Sequence, residues 1–516
     1  MSGGSPAAPP AGAGDGSARL LHAFELHRAG DVEAAALLYE LVLRERPEDV
    51  DARHLLGVAR RQQGRAAEAV ELIRGALARA EHHADAWSNL GNALADLSRF
   101  TEAAAAFARA GELRPGNVGA WYGLGLARAR LGDLDGAVDA YRRALSVDPG
   151  HVPSRHNLAN LLIERGRDAE AAAELRRVLS SAPELAEGHY NLARALLRLG
   201  DYVGGFAEYA WRWRAQGFPD RPRRSDLPAW DGGDVRGRVV LVQAEQGLGD
   251  TIQMVRLLPL LASLGARTIL EAPPRLCRLL DGIAGAERIV AIGAPVPEAE
   301  LRVPLFDLPA RLGLTLGSIP DAVPYLHPEP DRRAAWASRL RPDGRLTVGL
   351  CWCGNPTSPA DGGRSLERPH PLASALSAES VRLIALTEPS RHPLEPHPEG
   401  LGWRLADMPF VVEHGGPETD RGAHAFLDTA ALLAEIDLVV TTDTAVAHLA
   451  GALGRPTLLL LKASPDWRWL MDRPDSPWYP SFRLIRQPSA GDWESVLLAA
   501  RREVLAAAAG RLRPAG

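Results

Sequence analysis

The stretch TTDTAVAHLAGALGRPTLLLL, Thr441 to Leu461, sets an acid, a hydroxyl and an imidazole among small residues, directly after the apolar run IDLVV. Asp443 falls where a buried strand would end and a helix begin, so its carboxylate is placed to cap that helix. Thr444 and His448 are four apart and share one helix face. Ala445, Ala447, Ala450 and Gly451 keep that face thin enough for a ligand to reach the backbone. Free first-turn N–H groups at the positive end of the helix dipole would hold a diphosphate. The same residues also fit an ordinary capped core helix with a satisfied buried histidine, and spacing alone leaves both readings open. Gly454 and Pro456 end the helix in either case.

A second loop with chemical potential is EQGLGD, which places Gly247, Gly249 and Asp250 after a short apolar run. Ile252 stands where a third dinucleotide-fingerprint glycine would fall, so no nicotinamide cofactor is expected. Asp250 follows Gly249 at a strand-to-helix turn, where helix capping alone would account for an aspartate. Cys351 and Cys353 form a C-x-C with no second pair and no nearby histidines, which argues against a metal site. A D-x-D, Asp133 to Asp135, lies in a turn of the helical repeats described below, away from these loops in the chain. No metal and no cofactor are expected.

The elements that must position these loops form two runs of the same plan. RVVLVQA, the glycine-rich loop, the helical pattern TIQMVRLLPLLASLG and RTILEA read as strand, turn, helix, strand. After residue 345, LTVGLCW and VRLIALT read as strands and FLDTAALLAEI as a helix. DLVVTT, TAVAHLAGALG and TLLLL then repeat strand, helix, strand. Parallel α/β sheets bind ligands beyond the carboxyl ends of their strands. Two such lobes facing each other suit a two-substrate reaction, one reactant on each, with closure excluding water.

Before these lobes the chain repeats with a period of 34. Pro47, Pro115, Pro149 and Pro183 share one register, with Glu81 in the missing slot. Gly57, Gly91 and Gly125 share a second, continued by Ala159 and Ala193; Trp87 and Trp121 mark a third. Ala35, Ala69, Ala103, Ala137 and Ala171 hold another, where helices approach closely. The pattern resembles the tetratricopeptide repeat, with about five full units and a divergent sixth from Ala186. Such units bury their apolar faces against neighbours and build a superhelical solenoid. Asn89, Asn157 and Asn191 occupy one repeat position, interrupted by Leu55 and Gly123. By the resemblance that position lines the concave face, where amides can bond an extended peptide. The column is similar to the asparagine ladder of the O-linked N-acetylglucosamine transferases; solvation or capping of the groove is the plainer alternative.

The segment from Asp201 to Arg238 breaks the period, and its Trp211, Trp213 and Trp230 are expected to plug the seam with the following domain. With 516 residues the chain is long enough for two to four domains. A formal net charge of -5 gives no basic surface for nucleic acid, and Lys462 is the sole lysine. Three cysteines argue against a disulfide framework and fit a reducing cytoplasm. No run of 18 apolar residues occurs, so no membrane span is expected. Residues 1–17 read as a disordered tail, with no signal-peptide pattern.

DTAVAHLAGALGRP resembles the nucleotide-sugar motif in the C-terminal lobe of bacterial heptosyltransferases, and EQGLGD the N-lobe loop that ends in Asp. GLCWCGNPTSPADGGRSL is similar to the segment opening their second lobe. PDWRWLMDRPDSPWYPSFRLIRQ looks like the tail of proteins that fuse tetratricopeptide repeats to such a transferase. The resemblance implies an α-solenoid followed by two Rossmann-like α/β lobes of the glycosyltransferase B type. The expected divisions are a repeat domain 18–215, a junction 216–236, an acceptor-side lobe 237–340 and a nucleotide-sugar lobe 341–516. It further implies that Asp250 is the general base on the acceptor hydroxyl and that Arg364 neutralises the leaving diphosphate. Asp443, Thr444, Ala445, His448 and Asn355 would hold the donor; ALTEPSR stands where relatives often carry a Leu-Gln pair, which leaves base recognition open. The implied activity is metal-independent sugar transfer from a nucleoside-diphosphate sugar to a peptide, protein or glycan acceptor guided by the repeats. A non-catalytic repeat adaptor with a decayed transferase domain, or a nucleotide-sugar epimerase, are the alternatives.

Overall fold

The computed structural model describes residues 15–218, 220–354, 362–388, 392–421 and 425–510. Twelve helices come first, in six sequential pairs. They are α1 and α2 (Asp15–Arg28, Val32–Glu45), α3 and α4 (Val50–Gln62, Ala66–Leu77), and α5 and α6 (Ala84–Asp96, Phe100–Leu113). Then follow α7 and α8 (Val118–Arg130, Leu134–Val147), α9 and α10 (Val152–Glu164, Asp168–Ser181), and α11 and α12 (Ala186–Arg198, Tyr202–Tyr209). The registers in the sequence have local causes. A Cβ on Gly57, Gly91 or Gly125 would fall 2.6, 2.8 or 2.4 Å from Ile73, Phe107 or Tyr141, so glycine lets the large side chain of the paired helix in. The proline column ends each repeat with a carbonyl that the side chain six residues on can reach. Trp87 Nε1 donates to Glu81 O at 2.7 Å, Trp121 Nε1 to Pro115 O at 2.8 Å, and Arg155 Nη2 to Pro149 O at 2.5 Å. Asp133 caps α8 by accepting from Gly136 N at 3.0 Å, which accounts for the D-x-D as helix capping.

The chain divides into two compact units, and the division falls inside the helical array. One holds Met1–Leu162 and Ala173–Glu184; the other holds Ile163–Ala172 and Leu185–Gly516. The boundary expected at residue 215 therefore lies within the second unit. The reason is burial: Ala193, Leu197, Tyr202, Phe206 and Tyr209 of α11 and α12 share a hydrophobic core with the following α/β elements. Tyr202 stacks on Trp478 and accepts from its indole N–H at 2.9 Å.

In the second unit, β1 (Val239–Gln243), β2 (Arg267–Ala272), β3 (Arg288–Ala291) and β4 (Leu301–Pro304) form a parallel sheet in the order β3-β2-β1-β4. Between β1 and β2 lie α13 (Leu248–Met254) and α14 (Leu258–Ser263), with a 3₁₀ turn at Val255–Leu257. The single helix expected there is thus broken ahead of Pro259, which cannot donate into a continuing helix. Next come α15 (Leu308–Arg311) and α16 (Pro330–Arg339). A second sheet contains β5 (Leu346–Cys351), β6 (Val381–Ala385), β7 (Leu394–Pro396), β8 (Trp403–Leu405), β9 (Val412–His414), β10 (Leu438–Thr442), β11 (Thr457–Leu461) and β12 (Phe482–Arg486). Its order is β12-β11-β10-β5-β6-β9-β8-β7, parallel except for the β7-β8-β9 edge. Its helices are α17 (His370–Leu376), α18 (Leu427–Glu435), α19 (Ala445–Ala452) and α20 (Trp493–Ala508). In both sheets the first strand sits where the strand order reverses, β1 beside β4 and β5 beside β10, the position at which open α/β sheets take ligands.

Trp230 is buried in the core of this unit; its backbone N–H donates to Arg302 O at 2.8 Å and its indole N–H to Gly233 O at 2.9 Å. Trp211 stacks on His189 with ring centroids 3.9 Å apart, and Arg212 lies over Trp213. The tryptophans therefore pack within the second unit, against its last repeat and first sheet.

Candidate active site

A cavity of about 630 Å³ opens where the carboxyl ends of β1, β5 and β10 meet. The turn after β1 supplies Gly247, Gly249 and Asp250; the turn after β10 supplies Asp443, Thr444, Ala445 and His448; Arg364 enters from the loop after β5. Every one of the expected site residues from the two α/β lobes lines this cavity except Asn355, which lies outside the described residues.

Asp250 is not the N-cap of α13. That position is Gly247, and Asp250 sits three residues on, reaching back to accept from Gly247 N at 2.8 Å through Oδ2. Its Oδ1 takes a hydrogen bond from Arg468 Nη2. Burial raises the carboxyl's pKa, and Arg468 and the Gly247 N–H oppose that rise. Gly249 has a packing duty. A Cβ there would stand 2.7 Å from His448 Cδ2 and 3.1 Å from Ala445 Cα, so only glycine lets α13 lie this close to α19.

The start of α19 differs from the expectation. Thr444 and not Asp443 is the N-cap residue, with extended backbone and no side-chain cap bond. Its hydroxyl turns inward, 3.2 Å from Thr441 Oγ1 and 3.6 Å from Cys351 Sγ. Burial pushes the Cys351 thiol up to about 11, so it stays protonated. Asp443 is buried, and its pKa is raised to about 6 by burial and by the nearby Asp466. His448 is 5% exposed, with Nδ1 2.9 Å from Tyr479 Oη and its ring stacked on Trp469. Burial and then Arg468 hold it well below the ordinary histidine pKa, so it is neutral. His448 lines the cavity and is otherwise packed as a core histidine.

Sequence reasoning passed over several cavity residues. Arg468 donates from Nε to Gln253 at 2.5 Å, from Nη1 to Asp466 at 2.7 Å, and from Nη2 to Asp250. A lone arginine between two tryptophans in PDWRW was the available signal. Asp420 accepts from Asp428 N at 2.7 Å and from the Thr429 hydroxyl, and burial raises it to about 6. Nothing in its sequence context marked it.

The asparagine column divides between the units. Asn89 and Asn157 lie in the first, and each bonds a side chain one repeat back: Asn89 Nδ2 is 2.9 Å from His54 Nε2, and Asn157 Nδ2 is 3.4 Å from Tyr122 Oη. Asn191 lies in the second unit, where Oδ1 accepts from Arg194 at 3.4 Å. The amides are half-buried and partly committed to neighbours.

Residues 88–152 and 128–190 match tetratricopeptide repeats, and residues 29–110 match anaphase-promoting complex, cyclosome, subunit 3. Residues 422–489 match glycosyltransferase family 9 (heptosyltransferase). The chain thus carries tetratricopeptide repeats toward its N-terminus and a heptosyltransferase-like segment toward its C-terminus. That segment includes Asp443, Thr444, Ala445, His448 and Arg468 but neither Asp250 nor Arg364. Among individual proteins, Protein FlbA of Caulobacter vibrioides is 29% identical over 55% of this chain. The chain spans about half the length of that relative, 50%. Among solved structures, MamA is 25% identical and covers 32% of this chain and 96% of its own, with a TM-score of 0.30. PilF of Pseudomonas aeruginosa is 19% identical over 39% of this chain and 90% of its own, with a TM-score of 0.36.

Proposed function

We propose that the protein is a glycosyltransferase of the two-lobed B type, moving a sugar from a nucleoside-diphosphate donor to a peptide, protein or glycan acceptor that the repeats help to recognise. The observation that carries the proposal is the shared cavity. Asp250 from the first sheet and the start of α19 from the second line one space of about 630 Å³, a size suited to a nucleotide sugar. Thr444 turns its side chain away from the first turn of α19, so the Ala445 end of the helix faces the cavity without its own cap, as an anion site requires. Arg364 adds positive charge, felt by both Asp443 and Asp250. In this reading Asp250 takes the acceptor's hydroxyl proton, while Arg364 and the helix start receive the charge of the departing diphosphate, with no metal. The chain's three cysteines are free thiols, which supports a reducing compartment such as the cytoplasm. No described helix is long and apolar enough to cross a membrane.

The test is a thermal-shift and calorimetric screen with UDP, GDP, ADP and dTDP. One of them should raise the melting temperature of the full chain. Asp443→Ala, at the cavity wall, should change its affinity while the fold persists. A chain that binds none of the four, with a folded second unit, would favour the repeat adaptor instead.

A further inference from the structure

We infer that Arg468 is a positioning residue for Asp250: its guanidinium aims the carboxylate at the cavity, where it takes a proton from the acceptor. The inference rests on Asp250 being the base. Its ground is the way the fork is anchored. Arg468 Nε bonds Gln253 and Nη2 bonds Asp250, both on α13, while Nη1 bonds Asp466 at 2.7 Å. Asp466 also accepts from the Arg468 backbone N–H at 3.1 Å, so the same carboxylate fixes both ends of the side chain. The guanidinium lies 4.4 Å from the ring centre of Trp467 and 5.5 Å from that of Phe306, and its side chain is 7% exposed. A planar group held at three nitrogens and lying against two aromatic rings cannot swing away as a lone surface arginine would.

The carboxylate side is complementary. One donor reaches each oxygen, the Gly247 N–H and Arg468 Nη2, which leaves lone pairs on both. The Asp250 side chain keeps 24% exposure, and Asp250 borders the cavity. Arg468 and Asp466 come from the segment before β12, Arg364 from the loop after β5, Asp443 from the turn after β10 and the neutral His448 from α19, and Arg275, Glu388 and Asp420 also line the cavity. Burial and Asp466 disfavour the ionised form, and Arg468 is the largest opposing influence. As the acceptor oxygen bonds to the anomeric carbon, its proton passes to Asp250. The bond from that carbon to the diphosphate breaks, and the diphosphate leaves with the electron pair. The proton then returns from Asp250 to water.

The experiment compares Arg468→Gln, Arg468→Lys and Asp250→Asn in the full chain. The protonated Asp250 carboxyl is followed by difference infrared titration of the ligand-free protein, its band identified by its loss in Asp250→Asn. Nucleoside diphosphate release from a panel of UDP-, GDP-, ADP- and dTDP-sugars is measured across pH. Arg468→Gln should move the Asp250 titration and the acid limb of turnover to higher pH, and Arg468→Lys should bring both part of the way back. A merely structural role would lower turnover equally at every pH. If Arg468→Gln leaves the titration in place, or weakens binding of the free nucleoside diphosphate instead, the positioning role is overturned. If Asp250→Asn itself turns over normally, the base assignment falls, whatever the arginine does. Where Arg468→Gln does not fold, Arg468→Met keeps the stem against Trp467 and Phe306 and is read in the same way.

Discussion

At Asp250 two duties meet in one side chain, and asparagine separates them. Asp250→Asn can still accept from the Gly247 N–H but turns its NH2 toward Arg468 and cannot take a proton, so turnover should fall by roughly two to four orders of magnitude while the fold persists with a lowered melting temperature. Asp250→Ala should lose stability as well, by about 1 kcal/mol for the missing cap bond and more for leaving Arg468 without that partner. Near-normal turnover in Asp250→Asn would reduce the residue to a cap. Asp443 carries a pH signature. Its pKa is raised from 3.8 to about 6 in the folded protein, so the native state binds a proton there that the unfolded chain releases. That contribution is present below pH ~4 and is lost as pH rises through ~6. Asp443→Asn should therefore gain stability relative to the parent between those limits, read by denaturant melts at several pH values. A constant difference across the range would mean that the raised pKa is absent. Asp443, Thr444 and His448 were legible because acid, hydroxyl and imidazole crowd a strand end among alanines. Asp466 and Arg468 were not, because their meaning comes from Asp250 and Gln253, more than two hundred residues away in the chain.

Among the elements, the closest approach within the site is α13 against α19, and Gly249 permits it. Gly249→Ala would press a methyl group onto His448 and the Ala445 backbone, costing about 1–3 kcal/mol and spreading the two helices. Removing the ring in Gly249→Ala/His448→Ala should recover part of the loss, although His448→Ala alone costs stability through Tyr479. Additive losses in the four-protein cycle would show that the two side chains do not meet. The strands around the site were readable from the sequence because their apolar runs are buried on both sides of parallel sheets. The helix after β1 was read as continuous because its apolar spacing runs on through Pro259. The cap of α19 was misread by one residue, since Asp and Thr are both good caps and only backbone geometry chooses between them.

On the scale of the whole molecule, the 34-residue period made the helical array plain but hid where it divides. A repeat motif records local pairing, whereas the burial of Tyr202, Phe206 and Tyr209 against the α/β core depends on contacts far along the chain. Arg212 shows the same dependence: it is fully buried, with bonds to Glu245 at 2.7 and 2.9 Å and to Asp307 at 2.7 Å. A fragment beginning at Gln216 removes all of these and should be insoluble or molten. One beginning at Ile163 retains the second unit and should unfold cooperatively. Equal behaviour of the two fragments in thermal melts would show that α11 and α12 are dispensable to that core.

The proposed sugar transfer is read most directly by mass spectrometry. The full chain and its Asp250→Asn form are incubated with mixed nucleoside-diphosphate sugars and candidate protein acceptors. Nucleoside diphosphate release should be matched by acceptor molecules heavier by one sugar residue, with both signals nearly absent in Asp250→Asn. Binding of a nucleotide sugar without cleavage, or equal product from parent and variant, would contradict it.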